Sequence, residues 1–201
     1  MEKPAITTYP IHDLVRERWS PVGFADRPVE REKLLSLFEA ARWAASSYNE
    51  QPWRFIVCPK ADPEAYGRLL GCLVAQNAAW AQHAPVLMLT VAKLRFTHND
   101  APNRFALHDV GQAIATLLVQ ATALGLHAHQ MAGFDAAKAC GAFGIPDGFE
   151  PVAAVALGYL GDPQALPAPL KERELLPRQR KPLNDLVFGG QWSAPSRLLG
   201  D

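Results

Sequence analysis

Residues 84–94 read Ala-Pro-Val-Leu-Met-Leu-Thr-Val-Ala-Lys-Leu, an apolar run almost without interruption. A strand with one face in water alternates apolar and polar residues, so this continuity predicts a strand buried in a covered sheet. A second apolar run, Pro151 to Leu160, predicts another strand. The chain has 201 residues, 49% of them hydrophobic, enough for one domain with a substantial core. The expected division is residues 1–201 as that domain, with 161–201 as an extended C-terminal arm.

Helical spacing fills the intervals between the strands. His12 to Trp19 predicts a short helix, and Pro28-Val29-Glu30-Arg31-Glu32 opens a longer one with acids in its first turn, as the helix dipole favours. Asp62-Pro63-Glu64 reads as an N-cap followed by proline, starting a helix that runs to about Cys72; Gln76 to His83 is a further helical piece. The longest pattern runs from Arg104 to Gly125, where Val110, Ile114, Leu117, Leu118, Ala121 and Leu124 form one apolar stripe. Gly111, Ala113, Ala115 and Thr116 are small, so a second helix could approach there or the residues could pack within one subunit. Leu126 to Ala132 should be a strand, with Asp135 capping a helix through Phe143. From Gly161 the tail is rich in proline and charge, with no sustained period before Leu183 to Val187.

The chemistry concentrates where a helix meets a strand. Leu34, Leu35, Leu37, Phe38, Ala41, Ala44 and Ala45 fall near helical spacing, whereas Trp53, Phe55 and Val57 alternate as on a strand. Between them lies Ser46-Ser47-Tyr48-Asn49-Glu50-Gln51-Pro52, and Pro52 disfavours helical geometry at Gln51. The grouped hydroxyls and amides could hydrogen-bond a polar heterocycle; Ser46, Ser47 and Asn49 could equally cap the helix and fold the turn.

The segment Ser46 to Phe55 resembles the Ser-Ser-x-Asn-x-Gln-Pro-Trp-x-Phe motif of the nitroreductase family, whose members are FMN enzymes. Similarity recurs in order at Arg18-Trp19-Ser20, at Met131-Ala132-Gly133-Phe134 and at Pro177-Arg178-Gln179-Arg180-Lys181-Pro182. The resemblance implies an α+β fold with a mainly antiparallel central sheet flanked by helices, and a C-terminal arm exchanged in a homodimer. It implies that Arg18, Trp19 and Ser20, with Arg178 and Arg180, hold the flavin phosphate or ribityl chain. Val22 stands where the family often has a further basic residue, a place Arg16 could fill. Ser47, Asn49 and Gln51 would serve the polar edge of the ring, and the backbone at Met131, Ala132 and Gly133 would approach N5. Phe96, His98 and Asn99, in a polar loop, become candidate substrate contacts.

No catalytic triad or carboxylate pair is identifiable, and the resemblance requires none, because the flavin carries the redox chemistry. The expected cycle is ping-pong: NADH or NADPH delivers two electrons, and a nitroaromatic, quinone or activated alkene then takes them. The alternatives are a member using reduced FMN for oxygen-dependent or desaturation chemistry, and a non-catalytic flavin-binding protein.

Charge and cysteine content narrow the partners. Lys plus Arg equals Asp plus Glu, 20 each, so no overall basic field points to nucleic acid or a membrane surface. Cys58, Cys72 and Cys140 match no paired framework and read as small core residues of a cytoplasmic protein. His127 and His129 share one strand face; with no third ligand at a recognisable spacing, no metal site is expected.

Overall fold

The computed structural model describes residues 2–200. Its centre is a four-stranded sheet of β1 (Trp53–Pro59), β2 (Val86–Lys93), β3 (His127–Met131) and β4 (Phe149–Gly158), in the order β1-β2-β4-β3. Every neighbouring pair is antiparallel. The apolar runs at 86–93 and 149–158 form the two inner strands, whose register shifts once, between Thr90 and Val91. The α+β architecture is that expected from the sequence.

Alternation along β2 divides the core between the two sheet faces. Leu87, Leu89 and Val91 join Leu69, Trp80, Ala139 and Ala156, under α3 (Pro63–Leu70), α4 (Ala75–Ala81) and α6 (Ala136–Phe143). Val86, Met88 and Ala92 join Leu37, Val110, Ile114, Leu117 and Val155, under α2 (Arg31–Arg42) and α5 (Ala106–Ala123). Each face is therefore covered by helices. Burying a leucine-sized side chain contributes about 1.5–3 kcal/mol, so two such layers dominate the stability of the sheet.

The predicted helices form within a few residues of their expected ends. Asp62 and Asp135 cap α3 and α6 through their side chains, accepting from Ala65 N and Lys138 N. Gly125, at φ +71°, follows α5 in the left-handed region that glycine adopts without strain. The small residues of α5 divide: Ala113 is buried in its own core, while Gly111 and Ala115, one turn apart, are exposed. Cys58 and Cys72 are buried and Cys140 half-buried; burial pushes the Cys58 thiol up to about 11.

The tail differs from the sequence expectation. Residues Ala168–Leu175 form a regular helix, α7, where no helical period was read. Its first residues include Pro169, and its inward side is secured by a buried carboxylate, Glu174, more than by an apolar stripe. Among the described residues, no helix is long and apolar enough to cross a membrane.

Candidate functional site

The N-terminal segment and the stretch 173–180 meet around one cavity. It is lined by Lys3, Arg18, Trp19, Ser20, Arg173, Glu174, Leu176, Pro177, Arg178 and Arg180, with a volume of about 240 Å³. α1 (Asp13–Glu17) ends at Arg18, whose extended backbone leads into the buried Trp19. Arg18 Nη1 donates to Ser20 Oγ at 3.4 Å. From the other side, Arg178 Nη1 donates to the carbonyls of Lys3 and Arg16, both at 2.8 Å.

The cavity is electrostatically unbalanced. Burial lowers the pKa of Arg18, and the Arg180 guanidinium lowers it further; Arg178 is lowered by burial, then by Arg18 and Arg180. The one acidic lining residue, Glu174, is already engaged by two backbone amides. Guanidinium groups gathered this way are ready to receive an anion. Five of the residues proposed from sequence, Arg18, Trp19, Ser20, Arg178 and Arg180, thus line one cavity. Arg16 does not, because its guanidinium is bound 2.7 Å from Asp13; the additional cations are Arg173 and Lys3, whose ammonium lies 4.7 Å over the Trp19 ring.

The helix-to-strand turn lies apart from this cavity, with a distinct geometry. Tyr48, Asn49 and Gln51 all have positive φ, between +51° and +54°, interrupted by Glu50 at φ −65°, and three non-glycine residues in that region within one turn store strain. Side chains hold it: Asp109 of α5 accepts from Ser47 N at 2.9 Å, and Ser46 Oγ accepts from Gln51 N at 3.0 Å. Glu50 reaches away to accept from Lys93 Nζ at 3.0 Å and Thr97 N at 2.8 Å. Burial alone would raise its pKa, but the bonds from Thr97 and Lys93 prevail and hold it at about 2. The clasp brings the 96–99 loop over the turn, with Phe96 and His98 5.6 and 5.7 Å from the Tyr48 ring. Asn99 instead turns back, its side chain accepting from Ala101 N.

At the end of β3, Met131 is buried, Ala132 exposed and Gly133 half-buried. Among the described residues, the N–H groups of Ala132 and Gly133 have no acceptor. The Gly133 carbonyl accepts from Val74 N and from Asn77 Nδ2 of α4. A Cβ on Gly133 would lie 2.7 Å from Asn77 Nδ2 and 2.9 Å from Val74 Cγ2, so any other residue would push these side chains away and disturb the Asn77 contact. Asn77 was not identified from sequence; an amide within the otherwise apolar Ala-Gln-Asn-Ala-Ala-Trp-Ala stretch was the available signal.

His127 packs edge-on to Trp19 at 5.9 Å, and His129 lies 4.6 Å from Trp80 with Nδ1 2.7 Å from the Pro21 carbonyl. Burial drives the His127 pKa down to about 4, with Arg18 adding to it; burial also lowers His129. The neutral forms are thus favoured on folding, and the unfolded chain binds more protons below the ordinary histidine value. Stability is expected to fall as pH drops from about 6.5 towards about 4. Urea midpoints at pH 7 and pH 5 should differ less in His127→Phe than in wild type. No group of three or more His, Cys, Asp or Glu among the described residues is placed to hold a metal ion.

A helix-flanked antiparallel sheet, carrying a cationic cavity built from the N-terminal segment and the stretch 173–180, defines the class, and the chain belongs to the nitroreductase family. The model of that family matches residues 15–159. A solved structure described as an oxidoreductase containing FMN is 38% identical, with a TM-score of 0.89, covering 94% of this chain and 96% of its own. A Mycolicibacterium smegmatis protein, named as an uncharacterized 15.4 kDa protein in the ask 5′ region, is 41% identical over 135 residues. The match spans 67% of this chain and 89% of that protein. A Xanthomonas oryzae pv. oryzae protein named "Putative NADH dehydrogenase/NAD(P)H nitroreductase" is 34% identical over 174 residues, 78% of this chain and 87% of its own.

Proposed function

We propose that this protein is an FMN-dependent oxidoreductase that moves two electrons from NADH or NADPH to a small acceptor such as a nitroaromatic, a quinone or an activated alkene. The observation that carries the reading is the cationic cavity. Arg18, Arg178, Arg180 and Lys3 share it with the Ser20 hydroxyl, and its carboxylate is already bound to backbone. That donor set fits a phosphate monoester, which accepts several charge-assisted hydrogen bonds at once. The FMN-containing relative and the NAD(P)H nitroreductase name of another support the same cofactor and donor here.

When bound, FMN supplies a two-electron carrier that accepts hydride and passes it on. The residues of this chain bind and orient it. Arg18, Ser20, Arg178 and Arg180 would hold the phosphate, and Trp19 walls the cavity beside them. The unpaired Ala132 and Gly133 N–H groups would present donors to the ring, with Asn77 keeping that backbone in place. Ser47, Asn49 and Gln51 offer amide and hydroxyl partners on a turn fixed by Asp109. Tyr48, Phe96 and His98 would border the acceptor. Arg16 contributes its carbonyl, which anchors Arg178.

A volume of about 240 Å³ is below the roughly 300–1,000 Å³ of pockets that enclose a drug-sized ligand, so the flavin ring must extend beyond the cavity. Ser47, Asn49, Gln51, Ala132 and Gly133 do not line it. The reading therefore includes a second copy of the chain that completes the site. The exposed Gly111 and Ala115 on α5 and the exposed Ile11, Val15 and Leu107 support such an interface. The C-terminal arm, with Leu183, Leu186, Trp192 and Leu198 exposed, would cross to that copy. Sedimentation at micromolar concentration should give the mass of two chains; a single-chain mass with flavin bound would contradict the shared site.

Turnover of NADH or NADPH with and without a quinone or nitroaromatic tests the activity. Acceptor-dependent oxidation is the expected result. Oxidation only with oxygen would point to oxygen-dependent chemistry, and none under either condition to flavin binding without turnover.

A further inference from the structure

Glu174 is a buried carboxylate inside a cluster of cations, yet among the described residues no lining cation bonds to its carboxylate oxygens. Oε2 accepts from Val22 N at 3.0 Å and Oε1 from Gly23 N at 3.1 Å. Its own carbonyl accepts from Lys3 Nζ at 2.5 Å. The residue is only 4% exposed, and it is the last acid of α7 before the chain turns through Pro177 to Arg178 and Arg180. Next to the same contact, Arg178 binds the carbonyls of Lys3 and Arg16. The N-terminal segment and the tail are thus stitched together beside the cavity, with Glu174 the only acidic residue among the described ones that line it.

Resting on the phosphate reading above, we propose that Glu174 is the positioning residue that assembles the cationic cavity: by docking α7 on the Val22 and Gly23 amides, it sets Arg178 and Arg180 opposite Arg18 and Ser20. Two effects of the carboxylate compete. Its negative charge near an anion site disfavours phosphate, so by Coulomb repulsion alone its removal strengthens FMN binding. As the anchor of the tail, its removal weakens FMN binding, because two buried amides lose their acceptors and the arginines lose their fixed place. The two roles predict opposite signs, and anchoring prevails here because both carboxylate oxygens are used by amides and neither by a guanidinium.

The test uses the full chain freed of flavin. Glu174→Gln, which keeps the shape but leaves a side-chain N–H facing a backbone N–H, is expected to weaken FMN binding by roughly 10- to 100-fold. Riboflavin affinity should stay within about twofold, since it has no phosphate to lose. Gly23→Ala moves the carboxylate without removing its charge, because the new Cβ would lie 3.3 Å from Oε1; it should lower FMN affinity in the same direction by less. Trypsin should cleave after Arg178 and Arg180 faster in Glu174→Gln than in wild type. An unchanged or raised FMN affinity, or equal losses for FMN and riboflavin with a lowered Tm, would overturn the proposal. Should wild type bind both flavins equally, the phosphate reading falls, while the cleavage rates still decide Glu174: faster cleavage sustains the docking and an unchanged rate overturns it.

Discussion

Replacing Arg178 and Arg180 together by Ala is expected to weaken FMN binding by roughly two to four powers of ten while leaving riboflavin nearly unaffected. A hydrogen bond to a charged group contributes about 1.5–3 kcal/mol, and two are removed. The structure separates the two side chains. Arg178 also ties down Lys3 and Arg16, so part of its loss comes through a loosened seam. Among the described residues, Arg180 bonds only to the adjacent Gln179 carbonyl, which makes Arg180→Ala the purer measure of the phosphate contact. Titration of flavin-free wild type and variants with both ligands provides the check. An unchanged FMN affinity, or an equal loss for riboflavin, would show that these arginines do not hold a phosphate.

Ala132→Pro is expected to slow flavin reduction by NAD(P)H roughly 100-fold relative to Ala132→Ser, the order of loss for one preorganised donor at a reacting centre. Proline removes the N–H, whereas serine retains it. The exposed Ala132 has no acceptor for this group among the described residues, so the N–H is available to a ligand. The neighbouring Gly133 is fixed on Val74 and Asn77, which keeps the donor aimed without help from a side chain at 132. Stopped-flow traces of the two FMN-loaded variants decide the matter: equal rates would place the hydride-accepting edge elsewhere.

What could be read from sequence follows from where the determining contacts lie. The inner strands were legible because burial on both faces leaves a nearly continuous apolar run, as in Val86 to Ala92, broken only by Thr90. The caps at Asp62 and Asp135 were legible because they act on residues three positions away. α7 was not, since Glu174 is held by amides 151 and 152 residues earlier, a pairing that leaves no local period. The same separation hid Lys3, which enters the cavity through tertiary packing. Asp109 was hidden for a different reason. It lies just before the apolar stripe of α5, where a charged side chain gives no sign of burial, yet it is buried to hold the Ser47 amide. The motifs showed which residues carry the chemistry, and the tertiary fold showed which side chains hold those residues still.

The most direct test is an anaerobic titration of the purified protein with NADH and, separately, NADPH, followed by a quinone. The account predicts a protein with bound FMN whose oxidised-flavin absorption bleaches with at least one of the two donors and returns when the quinone is added. A protein that retains no FMN even when it is supplied in excess, or whose bound FMN stays oxidised with both donors, would contradict it.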